Sequence, residues 1–279
     1  LKEVLKLRKS KLVKNIIIYG LLTLIGLIMV FPFVWMISTS LKSGTEIYNL
    51  SLIPENPTLR NYIRVFSTSN FGRWFLNSFI ISIITVVSVL FMDSLVGYTF
   101  AKLEFKGKKP MFILILSTMM VPTEMLIIPW YLMVNKLQWI NSYWSLLFPG
   151  LCTGFGIFMM RQFFTGIPDD LLDAGRIDGL SEFGVFWRVA MPLVKPALSA
   201  LGIFTFLGNW NSFLWPVIAV DNPQIYTLPV GLSLFSGEVY NQWDLIMTGA
   251  TIATLPVLVV FFIFQKQIIE GIHLTGVKG

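Results

Sequence analysis

Cysteine, histidine and charge are all scarce in this sequence, and each scarcity removes a class of function. A single cysteine, Cys152, excludes internal disulfides, and a single histidine, His273, excludes a His-rich metal cluster. His273 has no ligand or nucleophile partner beside it and reads as a solvated tail residue, so no Ser-His-Asp arrangement is available. Charged residues make up 13% of the 279, against about 25% in soluble globular chains. No phosphate loop of the form G-x-x-x-x-G-K-[ST] occurs. The Gly-Lys-Lys of EFKGKKP lacks a partner glycine five positions earlier, so ATP chemistry of that kind belongs elsewhere.

Apolar residues take the place of the missing charge. They account for 55% of the chain, and the mean hydropathy is +0.72. A soluble core of this size cannot hide so much apolar surface, which predicts a polytopic, all-α membrane protein. Six apolar runs can be placed, at about 16–37, 74–101, 110–128, 142–164, 197–220 and 242–264. Each approaches or exceeds the roughly 20 residues that a helix needs to cross a bilayer. Pro122 and Pro129 interrupt the third. The first run exceeds a signal peptide's apolar stretch of about 7–15 residues, and STSLKSG after it offers no A-x-A cleavage site. It is expected to be an anchor.

The basic residues orient these spans. Sixteen of the 21 lysines and arginines fall in the N-terminal stretch, around 102–109, within 161–195 and in the tail. The opposite side holds Lys42, Arg60, Arg64, Arg73 and Lys136. This bias places both termini in the cytoplasm. The net charge of +6 follows the membrane, which argues for a lipid surface and against nucleic acid.

One charged stretch interrupts the apolar runs: PDDLLDAGRIDGLSEFGVFWRVAMP, residues 168–192. Pro168 suits a first helical turn, and Asp169 and Asp170 complement its positive end. Leu171, Ala174 or Gly175, and Ile177 can share one face at helical spacing. Gly179 permits a tight turn, Ser181 can cap a second helix, and Pro192 can stop it. Phe183, Phe186, Trp187 and Ala190 form that helix's apolar face. The segment is either an interfacial loop packed under its own bundle or a docking surface for a soluble partner.

The same stretch resembles the EAA signature of ABC-importer permeases. Asp173, Ala174 and Gly175 stand at E-A-A, Gly179 at the glycine, Val189 at the isoleucine, and Met191-Pro192 at L-P. Asp for Glu, Gly for the second Ala, and Met for Leu are departures. GYTFAKLEFKGKK, NWNSFLWP and the VKG ending are similar to the maltose-type, MalG-like sugar permeases, nearest to oligosaccharide importers. The resemblance covers essentially the whole chain. It implies a type I ABC-importer permease fold in a bacterial inner membrane, as one domain with six transmembrane helices, a cytoplasmic coupling segment at 165–196 and a tail at 265–279. It also implies that Asp173, Ala174, Gly175, Asp178, Gly179 and Pro192 belong to an element seated in an ATPase cleft. The partners it implies are a second permease, a pair of ATPase subunits that bind the ATP and Mg, and an extracytoplasmic sugar-binding protein. No cofactor or metal is expected on this chain itself, and no catalysis.

Polar residues within the spans carry open readings. Asn209, Trp210, Asn211 and Trp215 offer amides and aromatic faces that suit a sugar in a translocation pathway. They equally suit inter-helix hydrogen bonding and an interfacial aromatic belt. In the family the partner permease carries most sugar contacts. Asp93 is either a cavity-lining carboxylate or a helix-packing residue bonded to a neighbouring span. Glu124 reads as interfacial. Residues 221–242 contain a Pro-Gly loop facing outward, which in the family reaches towards the binding protein. An ion-coupled carrier, a permease for a non-sugar solute and a membrane enzyme are the competing functions. Asp93 is a lone coupling-ion candidate without an evident inverted repeat, and no acid–base constellation supports an enzyme.

Overall fold

The computed structural model describes residues 2–237 and 241–276, with side chains over 14–237 and 241–265. His273 and the Val277-Lys278-Gly279 ending lie outside those side chains. Helix dominates, and among the described residues the extended structure is one isolated bridge between Ser236 and Asn241. Three helices are long and apolar enough to cross a membrane, within Lys14–Ser40, Phe71–Lys102 and Trp243–Gln265. Their backbones bond internally, as lipid demands.

The chain divides into two units. The first comprises residues 1–69 and 235–252. Within Lys14–Ser40 its long helix α1 (Lys2–Ser40) carries exposed apolar side chains and has none buried in its most hydrophobic window. Past the end of α1 lies Lys42, fully buried, whose ammonium donates to the carbonyls of Asn49 at 2.9 Å and Ser51 at 2.5 Å. The Trp35 ring lies 5.1 Å from it. Asn61, in the short amphipathic helix α2 (Arg60–Thr68), donates to the carbonyls of Ser40 and Lys42. These bonds tie the connection to the helix end.

The second unit comprises residues 70–234 and 253–279. Its axis is α3 (Phe71–Lys102), 32 residues or about 48 Å of helix, longer than the hydrocarbon layer is thick. The expected span at 110–128 is instead a sharply bent pair. Helix α4 (Lys108–Thr118) is followed by a short turn at Thr123–Leu126 and then α5 (Ile127–Lys136), with 96° between the two arms. Pro122 lies at the break, where its missing N–H cannot continue the ladder. Pro129 sits in the first turn of α5, where no donor is needed, so it interrupts nothing. The fourth run bends by 42° between α6 (Tyr143–Leu147, extended to Gly150 by a tighter turn) and α7 (Gly154–Thr165).

The charged stretch forms α8 (Asp169–Ile177) and α9 (Glu182–Val185), continued by a wider π turn at Phe186–Ala190 and by α10 (Met191–Leu193). Pro192 does not stop this helix. The chain turns by 83° at Val194 instead, before α11 (Lys195–Trp210). The ring of Pro196 would strike the carbonyl of residue 192 in a straight helix, so the bend falls between the two prolines. The fifth run breaks again before α12 (Leu214–Ala219), and α13 (Leu228–Ser233) and α14 (Trp243–Gly276) complete the chain. Pro229 and Gly231, expected in an outward loop, are helical within α13. Proline suits its first turn, and Gly231 is buried against Trp74, whose ring stands 2.1 Å from where a Cβ would be.

Candidate functional site

The charged stretch has two different faces. Leu172 is fully buried, and so are Val185, Phe186 and Ala190, which join Val89 and Tyr98 of α3, Met160 and Phe164 of α7, and Ala197 and Leu201 of α11 in one cluster. Tyr98 lies at its centre, with ring centroids 5.5 Å from Phe164 and 5.3 Å from Phe186. The opposite face carries Leu171, Ala174 and Ile177, which share one side of α8 and are exposed, Ile177 to 86%. Phe183 and Trp187 are exposed as well, so the second helix's apolar face is split: Phe186 and Ala190 inward, Phe183 and Trp187 outward.

Gly175 requires a correction. Offered with Ala174 as a candidate for the face shared by Leu171 and Ile177, it is instead buried, and a Cβ there would lie 3.2 Å from Val189 Cγ2 and 3.6 Å from Val185 Cγ2. The register of α8 puts Leu172 and Gly175 on the inner face, one turn apart, and the missing side chain lets α8 close onto the second helix. Gly179 behaves as expected: its φ of +86° carries the chain through the turn, with Asp178 as the exposed cap of α8. Ser181 caps α9 by accepting from the Gly184 N–H at 3.2 Å. Pro168, Asp169 and Asp170 open α8, as their residue types suggest.

Arg176 fastens the elbow between the two helices. Its guanidinium reaches Asp173 Oδ1 at 2.6 Å and grips Glu182 through two bonds of 2.7 and 3.2 Å. The guanidinium holds the Glu182 carboxyl below its ordinary range, and the two carboxylates raise Arg176 in turn. At the segment's start Lys102, at the end of α3, donates to the Ile167 carbonyl and pairs with Asp169 at 2.6 Å. The hydrogen bond from Lys102 holds the Asp169 carboxyl low. Asp173 is therefore an exposed member of an ion-pair cluster, while Pro192 is an exposed residue near the bend.

The residues of NWNSFLWP are divided between packing and helix ends. Trp210 is buried, stacks on Phe206 at 5.7 Å and donates its indole N–H to the Ala253 carbonyl at 3.0 Å. Trp215 is buried with Ile81, Val134 and Leu146, donating to the Ser145 carbonyl at 2.9 Å. Both indoles are committed to helix contacts. Asn209 and Asn211 each donate to a carbonyl four residues back, Thr205 and Leu207, which ends α11 and makes the break. Asn209 is half-buried and Asn211 exposed.

Asp93 is fully buried and bonded to the neighbouring helix rather than open to solvent. Its carboxylate accepts the Thr153 N–H at 3.0 and 3.2 Å and the Thr153 hydroxyl at 2.7 Å, at the start of α7. A Cβ on Gly156 would lie 2.0 Å from its Oδ2, so glycine is needed there. Among the described residues no cluster of His, Cys, Asp and Glu has the makings of a metal site. The buried Lys42 lies in no motif, and a lysine next to an apolar run gives no sign of which way it folds; Tyr98 stands in GYTFAKLEFKGKK, but nothing in that stretch marks it as the centre of a cluster.

The family of binding-protein-dependent transport system inner membrane components matches residues 93–273. An arabinooligosaccharides transport system permease protein, AraQ of Bacillus subtilis, is 37% identical over 261 residues, covering 92% of this chain and 93% of its own. The trehalose/maltose transport system permease protein MalG of Thermococcus litoralis is 30% identical over 279 residues, 98% and 100% of the two chains. A crystal structure of a bacterial ABC transporter involved in the import of the acidic polysaccharide alginate contains a chain of the same fold. Its TM-score is 0.83 at 23% identity, with 92% of this chain and 97% of that one covered. With the match spanning most of its length, this chain belongs to the family of binding-protein-dependent transport system inner membrane components.

Proposed function

We propose that this chain is one permease subunit of an ATP-driven, binding-protein-dependent importer of sugar, of the oligosaccharide class, with residues 165–196 as its contact with an ATPase. The observation that carries this reading is the two-faced segment around α8. Its inner face is fused to the bundle through Leu172 and Phe186, its elbow is locked by Arg176, and its outer face offers Leu171, Ala174 and Ile177 to a partner. Leu171 and Ile177, exposed together on one side of α8, support a surface for a partner.

In this reading the six spans are the three long helices, the bent pairs α4–α5 and α6–α7, and α11 with α12, and the basic residues put both termini in the cytoplasm. ATP and Mg are held by a separate pair of ATPase subunits, a second permease completes the pathway, and an extracytoplasmic protein delivers the sugar. The cargoes named for the two relatives, arabinooligosaccharides and trehalose/maltose, support a sugar. Asn209 and Asn211 remain the pathway candidates of this chain, while the indoles of Trp210 and Trp215 are bound to the carbonyls of Ala253 and Ser145.

The test uses the exposed positions, Ala174→Trp and Ile177→Glu. Both variants should insert and fold, because neither position is buried, but lose ATP hydrolysis stimulated by the sugar-loaded binding protein. Full stimulated hydrolysis in both would remove this segment as the contact.

A further inference from the structure

Where α3 ends, the chain encloses a second feature that the transport reading does not use. A cavity of about 670 Å³ lies between the end of α3, the loop that follows, the first turns of α4 and the middle of α7. Phe100, Lys108, Lys109, Phe112, Ile113 and Arg161 line it. Arg161 is half-buried. Its Nε donates to the Phe100 carbonyl at 3.2 Å, and its guanidinium carbon sits 4.2 Å from the centre of the Phe112 ring. Ring and carbonyl thus fix the plane of the guanidinium, and the terminal N–H groups have no carboxylate partner among the described residues. Lys109 is exposed and likewise makes no ion pair among the described residues. Lys108 is satisfied by Glu104 at 2.8 Å, the one acidic residue of the lining. Two cationic groups therefore face one cavity without compensation.

Position and shape select the ligand. The cavity lies at the end of α3, and a helix longer than the hydrocarbon layer would hold that end among the headgroups. Met111, Ile113 and Leu114 of α4 are exposed beside it, and this apolar face leads away from the cationic end. We infer that this cavity binds the phosphate of an anionic phospholipid, with Arg161 and Lys109 on the phosphate oxygens and an acyl chain along α4. A free phosphate ion would use the same two cations but leave the apolar face bare. A zwitterionic lipid would bring its own positive group to an already cationic cavity.

The full chain, purified in detergent with any subunits that accompany it, is exchanged against phosphatidylglycerol or phosphatidylcholine and read by native mass spectrometry. Phosphatidylglycerol should be retained in preference, and each of Arg161→Gln and Lys109→Gln should weaken its retention about fivefold. Arg161→Lys should keep part of it, since charge without the planar fork remains. Because Lys109 is exposed, its variant stays informative even if the Arg161 variant folds poorly. Millimolar inorganic phosphate should not displace the lipid. Equal retention of both lipids, unchanged retention in Lys109→Gln, or displacement by inorganic phosphate would overturn the assignment. So would loss of a co-purifying subunit from these variants with lipid retention intact, which would make the cavity a protein contact. Sugar-stimulated hydrolysis is measured in parallel, so a failure of the transport reading is told apart from a failure of this one.

Discussion

Arg176 and Lys42 each fasten a short polar segment beside a long apolar helix, yet they do it in opposite surroundings. Arg176 lies at the surface between two carboxylates, with about a third of its side chain exposed. Lys42 is fully buried, and its hydrogen bonds among the described residues go to backbone carbonyls. An exposed ion pair contributes little, because water competes for every charge. A buried ammonium cannot be removed without stranding the carbonyls that it satisfies. The elbow at Arg176 is thus held chiefly by what lies beneath it, whereas the 43–59 connection is held by the cation itself.

The steepest test of that contrast lies under the elbow. Gly175→Trp should cost about 3 kcal/mol, because the indole must displace Val185 and Val189 in a packed site. Thermal unfolding of the purified protein and protease sensitivity of the segment read this directly. A variant as stable as the wild type would mean that the elbow does not depend on its buried face. Lys42→Met comes next, at about 2 kcal/mol, with protease cutting confined to the 43–59 connection. Cleavage there unchanged from wild type would deny the lysine its role.

Smaller effects belong to the exposed parts of the elbow. Gly179→Val should cost about 1–2 kcal/mol by forcing a β-branched residue to positive φ, although a Cβ would meet nothing within 4 Å. An equally stable Gly179→Asn variant is the control, since asparagine tolerates that backbone. The least effect is that of pH. The ordinary pKa of Glu182, 4.5, is lowered in the folded protein, chiefly by the hydrogen bond from Arg176. Its stabilising contribution is therefore complete above about pH 4.5 and is lost as the pH falls through the lower folded value. Protease sensitivity of the segment should rise only below that range, and Glu182→Gln should flatten the rise. A rise near neutral pH would point to another group.

Much of this architecture was legible before any coordinates. Long uncharged runs announce spanning helices because lipid leaves the backbone no other partner. Pro168, Gly179 and Ser181 act locally, through a fixed φ, a positive φ and a capping hydroxyl, so their residue types suffice. Gly175 was not legible in the same way. Ala174 and Gly175 are adjacent and both small, and only the burial of Leu172 decides which of them turns inward. The breaks were half legible: Pro122 marks one, but the bend at Val194 needs two prolines and the wider turn at Phe186–Ala190. Asp93 and Lys42 depend on partners far along the chain or on carbonyls of any residue type, and neither leaves a pattern. Trp210 and Trp215 look alike for a sugar and for a helix neighbour, because an indole offers both the same flat face and single N–H.

The rings around Tyr98 have a mechanical consequence. Tyr98 belongs to α3, Phe164 to α7 and Phe186 to the turn that follows α9, and their centroids lie within 5.3 to 6.2 Å of one another. Close-packed aromatic rings compress very little. A push on the outer face of α8 therefore does not dissipate in the connecting loop. It passes through three close-packed rings into α3 and α7 at once, as a thrust bearing passes an axial load to a shaft, with little lost motion between them.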